Sequence, residues 1–81
     1  MPTRTNRREQ TVKARYVAQG YEAIQKGWPD FCFVRGDEVR FVEVKRAGSQ
    51  HTEKMGLSAH QRRMIKIFRQ LGLHVTIAYE S

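Results

Sequence analysis

Between Glu38 and Arg46 polar and apolar residues alternate with a period of two. Val39, Phe41, Glu43 and Lys45 fall on one face, and Arg40, Val42, Val44 and Arg46 on the other. Asp30 to Arg35 forms a second strand pattern, and Gly36-Asp37 between the two is a tight-turn signal, so together they predict a hairpin. Tyr21 to Gln25 fits a short strand. Lys26-Gly27-Trp28-Pro29 fits a turn or bulge, because Pro29 has no N–H to give a central ladder. Two helical patterns frame these strands. The first begins at Thr5 or Asn6, places Glu9, Val12, Tyr16 and Val17 on one face and stops at Gly20, and Asn6 with Glu9 fits a capping box. The second is capped by Ser58, runs from Ala59 to Leu71 with Met64, Ile65, Phe68 and Leu71 inward, and stops at Gly72. Ala47 to Leu57 is read as a loop of about ten residues, long enough to be functional or mobile. His74 to Tyr79 closes the chain as a strand. The order α-β-β-β-α-β predicts a single α/β domain over residues 1–81, with a central mixed sheet, one parallel pair and flanking helices.

Composition narrows what such a domain can do. Fifteen Lys and Arg stand against eight Asp and Glu, for a net charge of +7. A surface that basic predicts a polyanionic partner, since each cation meeting a phosphate releases a counterion. Charge alone does not separate nucleic acid from an anionic membrane. No apolar run approaches the roughly 20 residues of a spanning helix, and no apolar segment follows the basic Met1–Arg8 stretch, so neither a membrane span nor a secretory signal is expected. A lone cysteine, Cys32, excludes an internal disulfide framework and, within an apolar run, reads as a buried structural thiol. These features predict a cytoplasmic protein, not a secreted one. A chain of 81 residues buries only about 60% of its unfolded surface, so dimerisation or a ligand would help it.

The chemistry comes from the hairpin register. With Gly36 and Asp37 as the two turn residues, Arg35 faces Glu38, and counting back along both strands Asp30 faces Glu43. Two carboxylates facing one another repel unless something cationic lies between them. Hard oxygen ligands suit Mg²⁺, and Lys45 projects on the same face, where it can orient a water or hold charge on phosphoryl oxygens. An acid-x-Lys triplet alone carries little weight, since this composition yields one about half the time by chance. Its place in an apolar strand, opposite an Asp that follows a Pro, gives it weight.

Gly27-Trp28-Pro29-Asp30, then Phe41-Val42-Glu43-Val44-Lys45-Arg46, then Leu57-Ser58-Ala59-His60-Gln61, resemble the PD-(D/E)xK nuclease superfamily, and within it the VRR-NUC (virus-type replication-repair nuclease) family. The resemblance spans nearly the whole chain. It implies a restriction-endonuclease-like core and Mg²⁺- or Mn²⁺-dependent hydrolysis of DNA phosphodiesters. It implies Asp30, Glu43 and the Val44 carbonyl as metal ligands and Lys45 as a catalytic residue. Short stand-alone members resemble Holliday-junction resolvases, which implies a homodimer acting on branched DNA, in a bacterium or a phage-infected cell. In many superfamily members a first-helix glutamate faces the metal. Glu9, on an apolar stripe, is the candidate here, unless it only completes the cap with Asn6.

Gln61 lies on the inward stripe of the second helix and would reach the sheet near Lys45 or a DNA phosphate, joining the catalytic set; the alternative is a partly exposed first-turn glutamine. Arg4, Arg7, Arg8, Lys13 and Arg15, with Arg46 beside the site, are candidates for gripping the phosphate backbone, which positions a duplex without reading sequence. Lys54 would assist from the loop. Arg62, Lys66 and Arg69, with Arg63, mark a largely solvated helix side, from which Arg62 is kept as a DNA contact. Trp28 is read as a core ring before a stacking group. His51, His60 and His74 stand at no metal-ligand spacing. The alternatives are a catalytically silent DNA-binding module of the same fold and a small interaction protein, the latter without the paired aromatics of an RNA-binding sheet.

Overall fold

Helix α1, Arg7–Ala18, ends where Gly20 takes a positive φ of 90° that a side chain would resist. The Tyr21 N–H reaches back to the Tyr16 carbonyl and that of Gly20 to Val17, closing the helix with these two carbonyls satisfied. The computed structural model describes residues 7–25 and 27–81. The proposed cap Asn6, the basic Arg4 and Lys26 lie outside them. Strands β1 (Glu22–Ile24), β2 (Phe31–Arg35) and β3 (Glu38–Arg46) follow, then a single 3-10 turn at Ser49–His51, helix α2 (Ala59–Gln70) and strand β4 (Val75–Glu80).

The sheet has order β1-β2-β3-β4. β1, β2 and β3 are antiparallel in sequence, while α2 carries the chain over so that β4 runs parallel to β3. In the hairpin Arg35 faces Glu38 and Phe31 faces Val42, which is the expected register. The architecture is α/β, a mixed four-stranded sheet flanked by two helices, consistent with a restriction-endonuclease-like core.

The two faces of the sheet are packed unequally. Beneath α1, Val12, Phe31, Phe33 and Val42 are fully buried, joined by Tyr21 and Val44. Phe33 stacks on Tyr16 at 4.1 Å between centroids and on Phe31 at 4.9 Å. Each such ring contributes about 1.5–3 kcal/mol through burial. Tyr21 fastens this layer to the hairpin, its hydroxyl donating to Glu38 Oε2 and its ring lying under the Arg35 guanidinium. The opposite face carries Phe41, which Phe68 of α2 meets edge-on, and Phe68 meets Trp28 in the same way. Here α2 buries none of its residues fully.

Several expectations fail for identifiable reasons. Val17 is 49% exposed, because five residues past Val12 is about 140° around a helix and turns it off the buried stripe. Leu71 is 70% exposed: it is the C-cap, beyond the last helical turn and off the sheet. Cys32 is half-buried, since α2 covers its face incompletely. The segment after β3 is not a plain loop but contains the 3-10 turn. Asp30 sits in a bend just before β2 instead of in the ladder.

Candidate active site

Because β2 begins at Phe31, the N–H of Val44 lies past the end of the hairpin ladder, and the Asp30 side chain takes it. Asp30 Oδ2 accepts from Val44 N at 2.8 Å, while Asp30 N donates to Glu43 Oε1 at 3.0 Å. The two carboxylates are thus cross-linked through each other's strand, each receiving a backbone N–H. That reciprocal donation holds them adjacent where charge repulsion would part them. Glu43 is 3% exposed, the one buried charged residue among those described. Burial pushes its carboxyl above the usual carboxylate range, and the Asp30 charge pushes the same way; the Asp30 N–H and Lys45 pull against both.

Lys45 and Gln61 complete the cluster from two elements. Lys45 Nζ donates to Gln61 Oε1 at 3.0 Å and lies 3.4 Å from Glu43 Oε2, to which Gln61 Nε2 also donates at 3.1 Å. The Gln61 side chain is aimed by the helix start itself. Ser58 Oγ accepts from Gln61 N and Ser58 N donates to Gln61 Oε1, a reciprocal capping box. One carboxamide therefore caps α2, orients the lysine and partners the buried glutamate. Gln61→Ala is expected to cost about 1 kcal/mol, lowering the thermal midpoint by roughly 4–8 °C. An unaltered midpoint in a circular-dichroism melt would show that the side chain carries none of these bonds.

Glu9 reaches this neighbourhood from α1. Gln25 Nε2 donates to Glu9 Oε1 at 2.8 Å. Partial burial raises its carboxyl and the Asp30 charge raises it further, with Gln25 opposing. It faces Asp30 electrostatically but does not join a tight ligand cluster: among the described residues no group of three or more His, Cys, Asp or Glu stands together as a metal cage. The Asp30 and Glu43 carboxylates are the groups here that could hold a cation. Two carboxylates on neighbouring backbone, one of them buried, suit a hard divalent ion that keeps open positions for water and phosphate.

The basic residues divide by face. Arg7, Lys13, Arg46, Lys54 and Arg62 are exposed. Arg46 pairs in register with Glu80 on the α1 side of the sheet, opposite Lys45. Arg15 is held by Glu80 at 2.9 Å, which removes it from the open cations. Arg8 is half-buried, its Nε enclosed without a hydrogen-bond partner among the described residues. Trp28 is a packing ring against Phe68, its indole N–H enclosed and without a hydrogen-bond partner among the described residues. The three histidines are exposed.

Two supporting roles lie outside the expected set. Gln25, which holds Glu9, has no sequence signal. Ser58 was recognised as a cap, and the Ser-x-x-Gln pattern could have identified its second task of aiming Gln61. The VRR-NUC domain family model matches residues 4–80. Comparison with curated proteins and with solved structures gives no match.

Proposed function

The chain belongs to the VRR-NUC domain family, a nuclease-type domain, and on that premise we propose that it is a divalent-metal-dependent endonuclease that hydrolyses phosphodiesters of branched DNA. The observation that carries this is the Asp30–Glu43–Lys45–Gln61 cluster, in which a buried carboxylate is kept beside a second one and beside a lysine. Asp30, Glu43 and the Val44 carbonyl would hold Mg²⁺ or Mn²⁺. When bound, the ion supplies Lewis acidity toward a phosphoryl oxygen and a more acidic water.

The chain's own residues do the rest. Lys45 places a fixed positive charge beside the carboxylates, where it can orient a nucleophile or hold charge developing on phosphate oxygens. Gln61 prevents that ammonium from collapsing fully onto Glu43, because it occupies both groups at once. Exposed Arg7, Lys13, Lys54 and Arg62 supply backbone affinity without sequence preference. One chain offers one such cluster, so symmetric cutting of a four-way junction takes two copies. Exposed Ile67 and Leu71, one helical turn apart, and Leu73 give apolar surface for pairing. Among the described residues no helix is long and apolar enough to cross a membrane.

The test is nicking and resolution of four-way and flap DNA in Mg²⁺ or Mn²⁺ by the parent and by Lys45→Ala. The parent is expected to cut, and Lys45→Ala to lose on the order of 10²-fold or more. A parent that binds DNA but cuts with neither ion would instead be a silent binding module. Equal cutting by Lys45→Ala would remove the lysine from the mechanism. Sedimentation of the active protein as a monomer would refute the dimer.

A further inference from the structure

Met55 is the one non-glycine residue with a positive φ among those described, at 55°. A side chain rarely accepts that conformation, and here surrounding bonds impose it. Met55 N donates to the Thr52 carbonyl at 3.0 Å, Gly56 N to Thr52 Oγ1, and Leu57 N to the Lys54 carbonyl, with Leu57 itself buried. The Met55 carbonyl accepts the Tyr79 hydroxyl at 2.9 Å. Tyr79 is the register partner of Lys45 across β3 and β4. Gly56 lies against the same lysine: a Cβ built there would stand 3.9 Å from Lys45 Cδ. The loop is therefore fastened to the strand pair that bears Lys45, and Met55 is set one residue from the lysine's alkyl chain.

Its side chain nonetheless stays 47% exposed and follows the exposed Lys54. A large apolar group held on a strained, many-times-tied backbone, facing solvent beside a basic residue, contributes little to the core. Such a group suits a gap between unstacked bases. Opening such a gap in continuous duplex costs about a few kcal/mol of stacking per step, a cost already met at a flap, nick or branch point. We infer that Met55 is an apolar wedge that enters an unstacked base step next to the phosphate held at Lys45, making it the residue that distinguishes interrupted from continuous duplex. The inference rests on DNA being the substrate and deepens that proposal.

The experiment reads binding, not cutting. The full chain, with metal chelated, is titrated into a flap duplex carrying 2-aminopurine at the branch and into a continuous duplex of the same sequence. The parent is expected to raise the branch fluorescence and to bind the flap about ten-fold more tightly. Met55→Leu is expected to keep both effects. Met55→Gly should bring the affinity ratio close to one and abolish the fluorescence change, while leaving the thermal midpoint within about 4 °C of the parent's, because relief at the positive φ offsets the larger unfolded-state entropy of glycine. Retained stability with lost discrimination is a combination that a purely structural methionine would not give. A Met55→Gly protein that keeps the parent's ratio and fluorescence overturns the inference, as does a parent without preference for the flap. A parent that discriminates but never cuts overturns the nuclease assignment and leaves the wedge standing.

Discussion

Asp30→Asn is expected to leave the protein unable to cut DNA and, without metal, more stable than its parent. Asparagine keeps an oxygen for the Val44 N–H that Asp30 Oδ2 now accepts, and the main-chain N–H to Glu43 is untouched. What disappears is one negative charge. Asp30 contributes to raising the carboxyls of both Glu43 and Glu9, after burial in each case, so both are eased by its neutralisation. Removing this repulsion should raise the metal-free midpoint at neutral pH by roughly 2–4 °C, the size of about 0.5 kcal/mol in a domain this small.

The pH dependence follows from the same two shifts. A carboxyl raised in the folded state binds protons there more tightly than in the unfolded chain. Its effect on stability is absent at low pH and becomes unfavourable as pH climbs from about 4.5 through the raised value. The parent should therefore lose more stability across that window than Asp30→Asn, when both are melted with metal chelated. Cutting in Mg²⁺ should fall on the order of 10²-fold or more in the variant, since an amide cannot replace an anionic ligand. If the variant instead melts well below the parent, Asp30 is a structural residue first. If it cuts normally, it does not hold the ion.

Phe33→Ala is expected to remove about half of the protein's stability. The ring is fully buried and sits between Tyr16 and Phe31, with Tyr21 edge-on. Truncating such a ring costs about 3–5 kcal/mol. A chain of this size has a total stability of only about 4–12 kcal/mol. Urea titration should show a midpoint reduced by roughly half or a broad, non-cooperative transition. Phe41→Ala serves as the control: its ring is half-buried under the loosely covering α2, and its loss should cost clearly less. Equal losses would mean that the two faces of the sheet share the stability, contrary to the unequal burial.

The hairpin was legible because its determinants are local. A two-residue turn fixes the register, and the period-two pattern of β3 fixes which residues share a face, so the sequence alone places Glu43 and Lys45 beside Asp30. Helix α2 was legible from Ser58 and Gly72, whose roles are likewise local. Val17 and Leu71 were misplaced because an apolar residue says nothing about its angular distance from the buried stripe or about where the sheet beneath it ends. Arg15 looked open because Glu80, 65 positions away, meets it only through tertiary packing. The bond from Tyr79 to Met55 was hidden for the same reason. The mutual bracing of Asp30 and Glu43 depends on where a strand starts, which sequence patterns fix only to within a residue or two.

The shared oxygen of Gln61 bears on how this protein can change by mutation. A residue that only caps a helix can drift among several polar types, and one that only steadies a lysine can be replaced by a neighbour doing the same. Here a single carboxamide does both, and its nitrogen is committed to a buried carboxylate. Glutamate would bring a third negative charge to the cluster, and asparagine falls one methylene short. Single substitutions at this position therefore disturb folding and chemistry together, which leaves it little neutral variation through which to drift.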